Sequence, residues 1–192
     1  MLRPTRLAVL VGLGLLALGS AARAEIDPLT RQPLVTYVDP AKAQATAIPR
    51  EIVDYPTRQR PGTIVVNTTE RRLYFVLPDG KAMRYGVGVG RPGFDWAGAH
   101  AITRKAEWPS WTPPSQMLKR RPDLPRHMAG GPDNPLGARA LYLGSTLYRI
   151  HGSNEPETIG QAVSSGCIRM LNEDVIDLYD RAKVGTRVVV AR

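Results

Sequence analysis

From Gly62 onward the sequence breaks into short runs of β-branched and aromatic residues, each closed by Gly, Pro, Asp or Asn. "TIVVN", "RRLYFV", "KAMRYGVG", "GAHAITRKAEW", "RALYLG", "TLYRIHG" and "TRVVVA" are such runs. Runs of this length and composition form strands, and little chain is left over for a helical bundle. Pro78-Asp79-Gly80 between two of them predicts a tight hairpin. One segment, "NEDVIDLYDRAKVG", breaks the pattern. Its spacing puts Val175, Ile176, Leu178, Tyr179 and Ala182 on one helical face. Asn172 is the expected cap, Glu173 and Asp174 suit the positive end, and Gly185 is the expected stop. The expectation is a mostly-β domain with one clear helix.

Two stretches fall outside this rhythm. Residues 108–138 are rich in Pro, Gly and Trp and form a connection long enough to suggest a functional loop. Residues 25–61 hold Pro28, Pro33, Pro40, Pro49, Pro56 and Pro61, which predicts an extended or irregular arm lying against the domain. Gly88-x-Gly90-x-x-Gly93 matches a dinucleotide-binding pattern, but no amphipathic helix follows it. These glycines are read as a sheet turn, and no cofactor is expected.

The N-terminus reads as a secretory leader: Arg3 and Arg6, an apolar run from Leu7 to Leu18, and Ala22-Arg23-Ala24 as a cleavage site. The run is short for a membrane span, which needs about 20 apolar residues. The expected organisation is a signal peptide over 1–24, a Pro-rich arm over 25–61 and one domain over 62–192. No spanning helix is expected once the leader is removed. The leader holds three of the 26 Lys and Arg and none of the 17 acids, so the rest of the chain carries about +6. That balance suits an anionic envelope surface, and export argues against nucleic acid. The expected location is the periplasm.

Export makes the single cysteine, Cys167, informative, because exported proteins usually pair their thiols. It is an intermolecular link, an inert buried thiol or a nucleophile. His151 ends a strand run, and the connection to Cys167 is long enough to fold back and bring imidazole and sulfur together. His100 and His127 are weaker partners. Three histidines and one cysteine with no tight ligand pair make a metal site unexpected. Gly152 lets its carbonyl approach the His151 ring, and the Gly166 and Cys167 amides could hold an oxyanion. Arg169 can pair with a substrate carboxylate or form a surface ion pair.

Together, His-Gly and Ser-Ser-Gly-Cys-Ile-Arg-Met resemble the signature of the L,D-transpeptidase (YkuD-type) catalytic domain. Ser164 matches the serine three before the family's cysteine, and Ser165 stands where many members have histidine. "GTIVVNTTERRLYFV", "YGVGVGRPG" and "WPSWTPP" are also similar to family segments, whereas "RPGFDWAGAH" departs from the usual Thr-Pro-Gly turn. The resemblance covers roughly residues 62–191.

The resemblance implies a β-sandwich with one or two helices and a Cys/His cleft. It implies action on peptidoglycan stem peptides, with no cofactor. Cys167 would attack the carbonyl of the third residue and expel the terminal D-alanine. His151 would be the base, Gly152 its orienting carbonyl, and Gly166 and Cys167 the oxyanion amides. Arg169 and Ser164 would support the loop or contact substrate, Ser165 would contact substrate, and Trp108, Trp111 and Tyr142 would line the cleft or equally serve in packing. The acceptor would be another stem peptide (a 3-3 link) or an envelope protein. Water as acceptor, giving a carboxypeptidase or a protein-detaching amidase, is the alternative. Carbapenems would acylate the same thiol. A sortase does not fit "SSGCIRM", and a wall-binding module with an inert cysteine is the non-enzymatic reading.

Overall fold

The structure is a computed structural model that describes residues 48–192. The expected leader and most of the Pro-rich arm lie outside the described residues.

Eleven strands form among these residues: β1 (Glu51–Asp54), β2 (Ile64–Asn67), β3 (Arg72–Val76), β4 (Lys81–Gly86), β5 (Val89–Gly90), β6 (Gly98–Glu107), β7 (Arg139–Leu143), β8 (Arg149–His151), β9 (Ala162–Ser164), β10 (Ile168–Arg169) and β11 (Arg187–Ala191). The helices are α1 (Ser115–Arg120) and α2 (Asn172–Arg181). Nine strands make one sheet in the order β1-β4-β3-β2-β11-β6-β7-β8-β10, and β5 pairs with β9 separately. The pairing is mixed: β11 runs parallel to β2, and β10 parallel to β8. The described residues are thus mostly strand with two α-helices, the one read from the sequence and a short second one that the family resemblance allows.

β6 joins the two parts of the large sheet. Its first residues pair with β11 and its later ones with β7, with a register shift between Ile102 and Arg104. Such an irregularity bends a strand and raises its twist. Residues from both parts meet in one core: Ile64, Leu73 and Tyr85 from one, Leu141, Leu143 and Ile150 from the other, with Val175 and Leu178 of α2. The β3–β4 hairpin turns at Asp79 and Gly80, both with positive φ, as a two-residue turn between twisted strands requires.

The helix departs from expectation at both ends. Leu171 holds the N-cap position and Asn172 is the first helical residue, without a side-chain capping bond. Asn172 is instead committed elsewhere, as described below. At the C-terminus the Lys105 ammonium donates to the carbonyls of Tyr179 and Ala182 at 2.6 and 2.7 Å. A cation on these unsatisfied carbonyls ends the helix favourably. Gly185, the expected stop, lies beyond in the turn into β11. Val175, Leu178 and Ala182 are buried, but Ile176 is exposed.

The described end of the arm is a strand of the sheet rather than irregular chain. β1 pairs antiparallel with β4. Arg50 lies 3.6 Å from the Asp174 carboxylate and 3.8 Å from that of Asp177, tying this end of the arm to α2.

Candidate active site

β8 and β10 bring the two halves of the signature together. They run side by side in register, Ile150 opposite Ile168 and His151 opposite Arg169. Cys167 immediately precedes β10, so thiol and imidazole reach the same cleft from neighbouring strands. The Pro/Gly-free pattern of β8 and the buried Ile150 fix this pairing in the core.

His151 is only 4 % exposed. Its Nδ1 lies 2.6 Å from the carbonyl oxygen of Gly152. A carbonyl can only accept, so Nδ1 carries the proton and Nε2 keeps a free lone pair. Burial holds the imidazole pKa down to about 3, Arg169 and Arg149 push the same way, and the Gly152 carbonyl opposes them. The ring is therefore neutral at physiological pH, in the tautomer a base needs.

Asn172 secures the backbone around His151. Its Oδ1 accepts from the Ala138 amide at 2.9 Å and the Ser153 amide at 3.3 Å, and its Nδ2 donates to the Ser153 carbonyl at 3.1 Å. A Cβ on Gly152 or Gly137 would collide with this same Oδ1. Those two glycines are what allow the amide to sit between β7, β8 and α2. This is the role that takes Asn172 away from capping, and sequence spacing offers no signal for it.

The cysteine loop is closed by Ser164. Its hydroxyl donates to the Cys167 carbonyl at 2.6 Å and accepts from the Gly166 amide at 3.1 Å. The Gly166 amide, one of the two expected oxyanion donors, is thus already engaged, which leaves Cys167 as the remaining candidate of that pair. Gly166 has φ +107°, and a Cβ there would meet the Tyr148 ring. β5 braces the loop from behind: Gly88 exchanges backbone bonds with Arg169 at 2.8 and 2.9 Å, and the Arg91 amide donates to the Ser164 carbonyl at 3.0 Å. The Gly88–Gly93 glycines therefore let backbone approach backbone, through a short strand as well as a turn.

Cys167 is half-buried. Its Sγ lies 3.7 Å from the Leu147 carbonyl oxygen, the length of a weak thiol hydrogen bond. Burial pushes the thiol pKa up, and Arg149 pulls against it. The resting pair is a neutral thiol and a neutral imidazole rather than an ion pair.

The cleft has a volume of about 420 Å³. Cys167, His151, Ser164, Ser165, Arg169 and Trp111 all line it. Arg169 Nη1 is held by Glu155 at 2.6 Å, so its guanidinium is already paired. Ser165 Oγ accepts from Arg91 at 3.3 Å. Two expected residues lie elsewhere. Trp108 is exposed, and its backbone follows β6 to pair with Ala138. Tyr142 lies under the Arg104 guanidinium, 3.6 Å from its ring centre, outside the cleft. Neither lines the cleft: Trp108 lies just past the end of β6 in a bend with φ +39°, and Tyr142 sits on β7.

Several wall residues carry no signature. Phe94 and Met117 enter from the "RPGFDWAGAH" segment and from α1, and Tyr148 and Arg149 from β8 and the turn before it. Trp96 stacks on Tyr148 with ring centres 4.5 Å apart. Its indole N–H donates to the Gly166 carbonyl at 2.8 Å. The one available signal was the departure of that segment from the family's usual turn. Among the described residues no group of His, Cys, Asp and Glu could hold a metal ion, and no helix there is long and apolar enough to cross a membrane.

Comparisons with known proteins identify a family. The profile of the L,D-transpeptidase catalytic domain (YkuD) matches residues 61–190. The Escherichia coli (strain K12) protein named probable L,D-transpeptidase ErfK/SrfK is 39 % identical over 160 residues, covering 79 % of this chain and 50 % of that protein. The chain spans about half the length of curated relatives such as this one and its Salmonella typhimurium counterpart. A solved Brucella melitensis structure, titled a probable carnitine operon oxidoreductase caia, is 43 % identical with a TM-score of 0.51, covering 78 % of this chain and 99 % of that one. L,D-transpeptidase 3 from Mycobacterium tuberculosis, solved with a faropenem-derived adduct, shares the fold with a TM-score of 0.55 at 18 % identity, covering 68 % of this chain and 60 % of that one. With the family profile spanning both β8 and the cysteine loop, the chain belongs to the L,D-transpeptidase catalytic domain family.

Proposed function

We propose that the chain is an exported, cysteine-dependent L,D-transpeptidase that acts on peptidoglycan stem peptides in the periplasm. The observation that carries this reading is that Cys167, immediately before β10, and the Nδ1-protonated His151, on the adjoining β8, line one cleft. Cys167 Sγ attacks the carbonyl carbon of the donor peptide's third residue as its proton passes to His151 Nε2. A C–S bond forms, and the Cys167 amide receives the developing oxyanion. Collapse breaks the C–N bond to the terminal D-alanine, whose amine takes the proton from Nε2. An acceptor amine then attacks the thioester, gives its proton to Nε2, and the thiol leaves reprotonated. The acceptor is a second stem peptide, giving a 3-3 link, or an amine of an envelope protein. Net positive charge favours the approach of an anionic wall polymer. The secretory character of the first 24 residues supports export.

Incubation with a purified disaccharide-tetrapeptide, read by mass spectrometry, tests the reaction. The expected products are a cross-linked dimer and free D-alanine. A folded Cys167→Ala variant should form neither, and turnover by it would sink the proposal. Tripeptide and D-alanine without a dimer, whatever amine is supplied, would assign the same acyl-enzyme to hydrolysis.

A further inference from the structure

The contact between Trp96 and Gly166 has a consequence for catalysis, given the acyl-transfer reading above. The Gly166 carbonyl and the Cys167 amide belong to one peptide unit. No cis peptide occurs among the described residues, so this unit is trans and its C=O and N–H point in opposite directions. The Trp96 indole grips the carbonyl end at 2.8 Å. Ser164 meanwhile takes the Gly166 amide and the Cys167 carbonyl, fixing the units on either side. Tyr148 packs against the Gly166 Cα, and Trp96 stacks on Tyr148 with the planes 7° apart. The position of the indole is itself constrained by the edge of His100, with ring centres 5.4 Å apart.

We propose that Trp96 is a positioning residue for the oxyanion donor: by holding the Gly166 carbonyl, it aims and strengthens the Cys167 N–H. Two physical effects combine. A peptide held at its oxygen cannot rotate its N–H away from the reacting carbonyl. A hydrogen bond accepted by the oxygen also polarises the unit and makes its N–H a better donor. Trp96 touches no reacting atom and acts only through this peptide.

The test compares wild type with Trp96→Phe, which keeps an aromatic ring on Tyr148 and removes the indole N–H. Losing a whole oxyanion donor costs about 10²–10³ in kcat, so loosening one should cost about tenfold, with KM little changed. The decisive readout is the infrared carbonyl stretch of the acyl-enzyme formed with a carbapenem. It should move to higher wavenumber in the variant, because a weaker donor polarises the acyl carbonyl less. A kcat loss with an unmoved stretch would reduce Trp96 to a structural residue and overturn the inference, as would unchanged kcat and stretch. Should Trp96→Phe fail to fold, benzothienylalanine at position 96 preserves the bicyclic shape without the N–H, and the same stretch decides. Wild-type protein that forms no acyl-enzyme at Cys167 would overturn the parent reading, and this inference with it.

Discussion

A thiol and an imidazole brought together in a half-closed cleft each keep their neutral form here, because burial outweighs the charges nearby. Under the proposed acyl transfer, the chemistry is then general-base catalysis from a thiol, not attack by a preformed thiolate. Iodoacetamide should therefore label Cys167 slowly at pH 7 and faster through the range above an ordinary thiol's pKa. A labelling rate that saturates below pH 7 would contradict this. A thiol with a nearby imidazole ordinarily reacts near neutrality, and burial of both groups is what shifts the expectation here. His151 has a second consequence. Its folded pKa of about 3 lies below the ordinary 6.5, so between these values the unfolded chain takes a proton that the folded chain refuses. Stability from this residue is full above about pH 6.5 and falls as the pH drops toward 3. Asp174, whose burial lifts its carboxyl to about 6, acts in the opposite sense over part of that window. The comparison that isolates the imidazole is wild type against His151→Gln: the variant's unfolding midpoint should lose less between pH 6.5 and 3.5. Parallel curves would show that the ring is not buried neutral.

At the scale of elements, α2 does more than cover the sheet. Its first residue links three backbone segments through one side-chain amide, with its Oδ1 accepting from the Ala138 amide before β7 and the Ser153 amide after β8. Asn172→Ala would leave the Ala138 and Ser153 amides without that acceptor, and an unsatisfied buried donor costs about 1–3 kcal/mol. Thermal unfolding should show that loss, accompanied by reduced acyl transfer because Gly152 no longer holds the His151 ring in place. Asn172→Asp, which keeps the acceptor, should lose less stability; equal losses would shift the explanation to helix formation. Strands, hairpin and helix were legible from alternation and turn residues, and the Cys/His pairing from the signature. The Asn172 clamp and the Trp96 contact were not, because each joins residues distant in sequence through a geometry that no local pattern encodes; the Ser164 bonds span only two and three residues, and loop support is one of the roles the resemblance implies for that serine. Trp108 and Tyr142 lie off the cleft wall, the packing alternative for aromatics near the signature; for Tyr142 on β7, strand alternation decides the side it occupies.

For the molecule as a whole, the last strand is the one on which the sheet depends. β11 lies between β2 and β6, parallel to one and antiparallel to the other, so it joins the part of the sheet before β6 to the part carrying β8 and the cysteine loop. Val188 and Val190 are almost completely buried in the common core. Their burial alone is worth about 1.5–3 kcal/mol each, against a total stability of about 5–15 kcal/mol for an ordinary domain. Two ladders of backbone bonds would be lost with them, and β2 and β6 would both become open edges in mid-sheet. Removing residues 187–192 should therefore abolish the cooperative thermal transition of the whole domain and all acylation of Cys167, although the deletion touches no residue of the cleft. Val188→Ala should lower the unfolding midpoint while leaving the transition cooperative and the acylation rate at saturation unchanged. A truncated chain that still melts cooperatively and still acylates would show that β2 and β6 can close without β11, and that the two parts of the sheet are held together by the core alone.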